Sequence, residues 1–355
     1  MSSKKWFHVF ISLLLMCFVI IASIVIFIDP FFHYHKPQSE LFYTLDNERS
    51  MNYGILEHFD YDSIITGSSM TENFQTSQAD KLFDADFVKV SFQGCTYKEV
   101  NDNLKVAFAS KHSIKNVIRC LDMDRFFDSK DDMYDEGEYP EYLYNNNPFD
   151  DVKYLFNRDV IYTRCAKILS DYFSGHDGGH TSFDDYAYWM DEVTYGKDKI
   201  MKDHSLFTAP SEVKSCELSL EEKACISENI SQNVTEIASE QPDTNFYIFI
   251  TPYSDVWWGE KYQDGLLDKQ LSAEKLIIEQ LLQYDNIYVF SWNSDFKLTT
   301  NLDNYADKCH YTDTISKMII ADMSNMKHRI TNDNLDDYIK NERNYYSNFD
   351  YNELF

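Results

Sequence analysis

Two stretches that lie far apart in the chain carry residue types able to act together as a nucleophile, a base and an orienting acid. A Gly-Ser-Ser turn at positions 67–69 directly follows an apolar run at 63–66, and an Asp-x-x-His pair, Asp307 and His310, lies far downstream. A serine hydroxyl is a poor nucleophile at neutral pH unless a histidine removes its proton, and that histidine needs an acidic partner to fix its tautomer. Ser69, His310 and Asp307 are therefore the candidate catalytic residues.

The elements predicted to position these residues alternate between strands and helices. Strands are predicted at 62–66, 87–92, 114–121, 245–251 and 286–292, and helices at 70–83, 97–109, 268–283 and 312–326. This alternation predicts an α/β fold with parallel βαβ units, whose ligands bind beyond the carboxyl ends of the strands. The 67–69 turn, Gly94 and Asp122 fall at such ends, and the Asp-x-x-His pair follows the last strand. We therefore expect one site at one edge of the sheet.

Each motif taken alone has a simpler interpretation. Serines at a strand-to-helix turn often cap the helix, and an aspartate three residues before a histidine is a common chance pattern. The conjunction of the two motifs, each at the end of a predicted strand, favours a functional site.

This arrangement resembles the SGNH, or GDSL-like, hydrolase superfamily, and more closely its membrane-anchored branch, which includes the D-alanyl transfer protein of teichoic acid modification. The resemblance implies a three-layer α/β/α sandwich with a parallel, flavodoxin-like sheet. It places the nucleophile at Ser69 rather than Ser68, with Asp307 and His310 completing the triad. It also implies that the backbone N–H groups of Ser69 and Gly94 form an oxyanion hole, and no cofactor is expected.

The chain departs from the superfamily pattern at its third block, which normally offers Gly-x-Asn. Here the third predicted strand ends in Asp122, and no asparagine stands at that place. An ionised carboxylate cannot donate a hydrogen bond, so the oxyanion hole would depend on backbone amides or another residue. The α/β-hydrolase fold is a weaker alternative, because its Gly-x-Ser-x-Gly elbow would need a glycine where Thr71 stands.

The resemblance implies acyl transfer or ester hydrolysis on an acylated cell-envelope polysaccharide, exopolysaccharide or teichoic-acid-like polymer. It also implies a membrane-bound O-acyltransferase as a partner. The competing hypothesis is a catalytically inactive module of the same fold that binds polysaccharide or serves envelope assembly. Nucleic acid is excluded as a partner by the net charge of -27, because binding requires Lys and Arg to neutralise phosphates.

An apolar run near the N-terminus, at 6–28, is long enough to cross a membrane as a helix. Lys4 and Lys5 precede it, which predicts a cytoplasmic tail at 1–5 and an extracytoplasmic main domain. A cleaved signal peptide is the alternative, but it would have a shorter apolar region and a small-x-small cleavage site. The chain is thus predicted to be a single-pass protein of the cell membrane.

The remaining boundaries follow from changes in composition. We predict a membrane-proximal linker at 29–58, an SGNH-like domain at 59–330 with a mostly helical insertion at about 128–243, and a surface extension at 331–355. Within the insertion, His176 and His180 flank two glycines and suggest a metal loop, although a mobile loop without metal is the favoured interpretation. A disulfide between Cys216 and Cys225 is a further possibility on the oxidising side of a membrane.

Overall fold

The computed structural model describes residues 2–110, 112–134, 139–145, 147–213 and 217–355. The chain divides into two compact units. The first consists of Met1–Phe59 and Gly137–Ser182, and the second of Asp60–Glu136 and Phe183–Phe355. The candidate catalytic residues all belong to the second unit.

The described strands are β1 (Phe42–Tyr43), β2 (Ser63–Gly67), β3 (Phe87–Ser91), β4 (Asn116–Leu121), β5 (Gly179–His180), β6 (Asn245–Ile250), β7 (Ile287–Ser291) and β8 (Arg329–Ile330). The described helices are α1 (Ser3–Ile28), α2 (Glu48–His58), α3 (Ser69–Glu72), α4 (Thr76–Phe83), α5 (Tyr97–Ala109), α6 (Val152–Leu155), α7 (Ala166–Phe173), α8 (Lys197–Ile200), α9 (Leu220–Ile230), α10 (Glu236–Glu240), α11 (Asp255–Gln263), α12 (Leu267–Leu281), α13 (Phe296–Thr300), α14 (Asp313–Ser324) and α15 (Leu335–Asn348). Two π-helical segments, Val160–Cys165 and Ser231–Thr235, lead into α7 and α10.

The second unit is built on a sheet of six strands in the order β3-β2-β4-β6-β7-β8. The first five are parallel, and β8 pairs antiparallel with β7. Every residue of β2, β3 and β4 is buried, which suits the continuous runs of apolar side chains expected of parallel strands. The prediction of an α/β fold with a parallel sheet is confirmed, and each predicted strand agrees with the structure to within two residues.

The strand order explains where a site can form. From β2 the chain goes to β3 on one side, and then crosses over to β4 on the other side of β2. The carboxyl ends of β2 and β4 therefore border a topological switch point, where connections diverge and leave a crevice. The Gly-Ser-Ser turn follows β2 and Asp122 follows β4, so both lie at this crevice.

The prediction of one helix at 70–83 is wrong, because the structure breaks it into α3 and α4. A break leaves backbone carbonyls without helical partners. The fully buried amine of Lys89, on β3, donates hydrogen bonds to two of these carbonyls, those of Glu72 and Phe74. A buried lysine thus stabilises an interruption that the apolar periodicity does not reveal.

Two further predictions need correction. The segment at 331–355 is not a surface extension, because α15 buries Tyr338 and Tyr346, and Tyr351 beyond it is also buried. The insertion at about 128–243, predicted to be mostly helical, contains the short strand β5, which pairs in parallel with β1, and more of its described residues lie outside helices than in them. Two-residue strands are too short to show a periodic pattern, so no local signal in the chain predicts them.

The first unit contains the apolar N-terminal helix. Helix α1 has a mean hydropathy of 3.2 over its most apolar window, and only 11% of that window is buried, so it is long and apolar enough to cross a membrane. The segment predicted as a linker at 29–58 is folded here. It contains β1 and α2, and it buries Phe32 and Tyr43 completely or nearly so.

Candidate active site

The structure brings the three candidate catalytic residues into one hydrogen-bonded chain. Ser69 Oγ lies 2.8 Å from His310 Nε2, and His310 Nδ1 lies 2.7 Å from Asp307 Oδ2. With a proton on Nδ1, the imidazole donates to the carboxylate and Nε2 is free to accept the serine proton. The His310 side chain is 29% exposed and that of Asp307 53%, so the site opens to solvent.

The loop that carries the acid and the base is held in a narrow turn. Tyr305 and Tyr311 form an isolated antiparallel bridge, and the Ala306 amide donates to the His310 carbonyl at 2.8 Å. Asp307 Oδ1 accepts from the amide of His310 and from that of the intervening cysteine, both at 2.8 Å. Burial acts to raise the pKa of Asp307, but the hydrogen bonds and charge of His310 and the backbone amides outweigh it and hold that pKa at about 2. Asp307 is therefore a carboxylate at any pH near neutrality.

The turn after β2 presents one of its two serines and hides the other. Gly67 has a φ of +137°, and a Cβ at this position would collide with the Cys120 sulfur of the neighbouring strand. Ser68 is buried, and its hydroxyl caps α3 by accepting from the Met70 amide at 3.3 Å. Ser69 begins α3 and is partly exposed. The geometry thus gives Ser68 the capping role and places Ser69 against the histidine.

Two backbone amides that follow β2 and β3 are available as donors. Among the described residues, neither the Ser69 nor the Gly94 amide has a hydrogen-bond acceptor. The ends of β2 and β3 are adjacent, since the Phe92 amide donates to the Gly67 carbonyl at 2.8 Å. Arg125 Nη2 donates to the Gly94 carbonyl at 3.0 Å and thereby fixes the peptide beyond that glycine. Such unpaired amides at strand ends are the donors that an oxyanion requires.

Asp122 lies beneath the serine turn rather than in solvent. Tyr253 donates its hydroxyl to Asp122 Oδ1 at 3.0 Å, and the Cys120 sulfur lies 3.8 Å from Oδ2. Burial raises the pKa of Asp122, against the opposing effect of hydrogen bonds from Ser68 and Tyr253. A carboxyl with a raised pKa retains its proton to a higher pH than an exposed one, and it can then donate a hydrogen bond.

One aromatic residue at the site was missed from the sequence. Trp189 packs against His310 with the two rings perpendicular and their centroids 5.2 Å apart. Its amide donates to Asn73 Oδ1 at 3.1 Å, at the end of α3. Trp189 lies within the predicted insertion, outside any strand end, and no motif surrounds it. By contrast Trp257 and Trp258, which follow β6, are buried and form part of the core.

The remaining predictions about ligands and cysteines concern other parts of the chain. Within the described ranges, no group of three or more His, Cys, Asp or Glu side chains is arranged to hold a metal ion. His176 instead lies 3.7 Å from the Asp171 carboxylate on the preceding helix. Cys216 of the predicted disulfide lies outside the described residues.

The chain has few recognisable relatives among known proteins. No protein-family model matches the chain, and no curated protein matches it either. Among solved structures, the chain is similar to a protein from Streptococcus pneumonia that is described as a proposed platelet activating factor. The identity is 11%, the match covers 82% of this chain and 91% of that chain, and the TM-score is 0.38. A likeness of this size carries no argument about fold or chemistry.

Proposed function

We propose that the chain is a serine esterase or O-acyltransferase of the SGNH type, with Ser69 as nucleophile, His310 as general base and Asp307 as the orienting acid. The observation that carries this proposal is the continuous hydrogen-bonded chain from Ser69 through His310 to Asp307 at the carboxyl edge of a parallel sheet. The same residue types at a surface would rarely align at 2.8 and 2.7 Å by chance.

The proposed reaction has two halves. Ser69 Oγ attacks the carbonyl carbon of an ester while His310 Nε2 takes its proton, and the amides of Ser69 and Gly94 stabilise the negative charge on the carbonyl oxygen. The C–O bond of the ester then breaks, and the alcohol leaves with the proton from His310. Water or another hydroxyl attacks the acyl-serine in the second half, again with His310 as base. The identity of this second hydroxyl decides between hydrolase and transferase.

The proposal extends to the place and substrate of the reaction. Helix α1 would anchor the chain in the cell membrane, with the second unit outside the cytoplasm as an α/β/α sandwich of three layers. Acyl esters of an envelope polysaccharide, an exopolysaccharide or a teichoic-acid-like polymer are the proposed substrates, and a membrane-bound O-acyltransferase is the proposed partner. Among these substrates, the net charge of -27 favours a neutral polysaccharide over the polyanionic teichoic-acid-like polymer.

A second candidate function is a polysaccharide-binding or assembly module that has kept the fold without catalysis. Asp122 favours this alternative, because it stands where the superfamily places a side-chain donor. The aligned triad argues against it, since a binding module has no use for a serine held against an oriented histidine.

Labelling with a fluorophosphonate serine probe tests the proposal on the full-length chain in detergent. We expect labelling of the wild type, none in Ser69→Ala and a reduced rate in His310→Ala. Ser68→Ala is the matched control, because it changes the adjacent hydroxyl and should still be labelled. A wild-type chain that resists the probe, under conditions where a known serine esterase reacts, would refute the proposed activity.

A further inference from the structure

Trp189 is a large apolar side chain left partly exposed beside the candidate base. Of the tryptophans that follow the N-terminal helix, Trp257, Trp258 and Trp292 expose no more than 1% of their surface, whereas Trp189 is only partly buried. Its neighbours Tyr186 and Met190 are both buried. The segment is therefore anchored on either side of Trp189, while the tryptophan itself stays partly exposed next to His310.

The path of this segment is dictated by the surrounding structure. Ala187 has a φ of 57°, in the left-handed region that a non-glycine residue enters at a cost. Two contacts then fix Trp189: its amide binds Asn73 Oδ1 at 3.1 Å, and its ring meets that of His310 at 5.2 Å. The indole is thus held in place relative to both the nucleophile helix and the histidine.

The position beside His310 determines which part of an ester Trp189 would meet. In the proposed reaction, Nε2 of His310 passes a proton to the departing alcohol and later takes one from the incoming hydroxyl. The oxygen of the alcohol must therefore approach the imidazole. A side chain packed against that imidazole is therefore placed where it can border the alcohol part of the ester.

We infer that Trp189 forms a platform for a sugar ring, and that the alcohol part of the substrate is a neutral pyranose whose apolar C–H face packs on the indole. This inference rests on the proposed function of the same site. A flat aromatic surface with a polar N–H edge suits a ring that has apolar faces and hydroxyls around its rim. The sugar ring needs no positive charge to bind there, because its contact with the indole is apolar packing.

The test compares two acetate esters that differ only in the alcohol: ethyl acetate and methyl 6-O-acetyl-glucopyranoside. The quantity measured is the ratio of kcat/KM for the glucoside ester to that for the ethyl ester, using the full-length chain in detergent. We expect the wild type to prefer the glucoside ester, and Trp189→Leu to lower the ratio about tenfold. Trp189→Phe, which keeps a flat ring, should restore part of the loss.

Tyr188→Leu is the matched control. It removes the neighbouring aromatic ring, whose hydroxyl lies near the charges of Asp313 and Lys317 on α14. The ratio should stay within about twofold of the wild type, because Tyr188 has no contact with His310 in the structure. An equal loss for both esters in Trp189→Leu would mean that Trp189 only holds the histidine in place, and this overturns the inference.

The role of Trp189 and the proposed activity can fail separately. A wild-type chain that reacts with the fluorophosphonate probe, but shows no preference for the glucoside ester or no turnover of it, overturns the role of Trp189 and leaves the proposed activity standing. A wild-type chain that does not react with the probe overturns the activity, and the inference falls with it.

Discussion

The substitution Asp307→Asn should inactivate the site more completely than removal of the side chain. Asp307 Oδ1 accepts two backbone amides at 2.8 Å, and Oδ2 accepts His310 Nδ1 at 2.7 Å. An asparagine has one oxygen, and that oxygen must stay opposite the two backbone donors. Its NH2 group then faces Nδ1, which becomes an acceptor, so the imidazole proton moves to Nε2. A protonated Nε2 cannot take the proton of Ser69.

The expected loss of rate has two sources, the missing negative charge of Asp307 and the wrong tautomer of His310. The first can be estimated from the pKa of Asp307. Burial opposes ionisation of Asp307, yet its hydrogen bonds and the charge of His310 bring its pKa from 3.8 to about 2. The shift corresponds to about 2 kcal/mol. The carboxylate is 53% exposed, and backbone amides contribute part of the shift. Solvent screening leaves about 1 kcal/mol for the pairing with the protonated imidazole.

These magnitudes predict an order among the variants. Asp307→Ala should lose about five- to tenfold in rate from the missing charge, and somewhat more from the loosened ring. Asp307→Asn should lose about 10³- to 10⁴-fold, because the wrong tautomer is enforced. The assay is the second-order rate constant for fluorophosphonate labelling at pH 7.5, with far-UV circular dichroism as the control for folding. Labelling of Asp307→Asn that is as fast as that of Asp307→Ala would refute this reasoning.

Two further predictions concern buried carboxyl groups. Asp122→Asn supplies an amide donor at the place where the SGNH superfamily has one. If that donor reaches the oxyanion, the rate of fluorophosphonate labelling at pH 8 should rise by about tenfold or more. An unchanged or lower labelling rate in a folded variant contradicts this. Glu274 on α12 and Glu342 on α15 are fully buried around Tyr338, and burial raises the pKa of both carboxyls above the ordinary value of 4.5. The folded state therefore holds protons that the unfolded chain releases, so the free energy of unfolding should fall as the pH rises above about 4.5. Glu342→Gln should flatten this pH dependence, because the amide stays neutral. Relative to its effect at pH 5, the substitution should stabilise the protein at pH 8 by about 1.4 kcal/mol for each unit by which the pKa of Glu342 is raised. An equal change in the free energy of urea unfolding at both pH values would contradict this.

The parallel sheet could be predicted from the sequence because its strands are buried on both faces. Continuous apolar runs such as Phe246 to Ile250 stand out from the acidic remainder of the chain, and each is followed by a helix. The short antiparallel strand β8 gave no such signal. Arg329 and Ile330 are only two residues, and their pairing with β7 depends on tertiary context rather than on local pattern.

The convergence of Ser69, Asp307 and His310 could be predicted from the sequence because each follows a recognisable strand. The surroundings of those residues could not. Trp189 comes from a segment without strands, and its contact with His310 joins positions more than a hundred residues apart. Lys89 lies in β3, and the sequence pattern of that strand does not indicate a contact with the preceding helices. Only the structure shows that its amine binds the carbonyls at the break between α3 and α4.

The effect of Asp122 on the proposed catalysis depends on whether its carboxyl group holds a proton. One oxygen of Asp122 already accepts from Tyr253, while the other faces Ser68 and Cys120. Burial favours the neutral carboxyl, whose O–H group can donate as an asparagine amide does, whereas the ionised form would place negative charge near the developing oxyanion. Loss of that proton as the pH rises would therefore remove a donor and add a repulsive charge in the same step. A chain with this carboxyl is compatible with catalysis on the acid side of its titration and with an inactive site on the alkaline side.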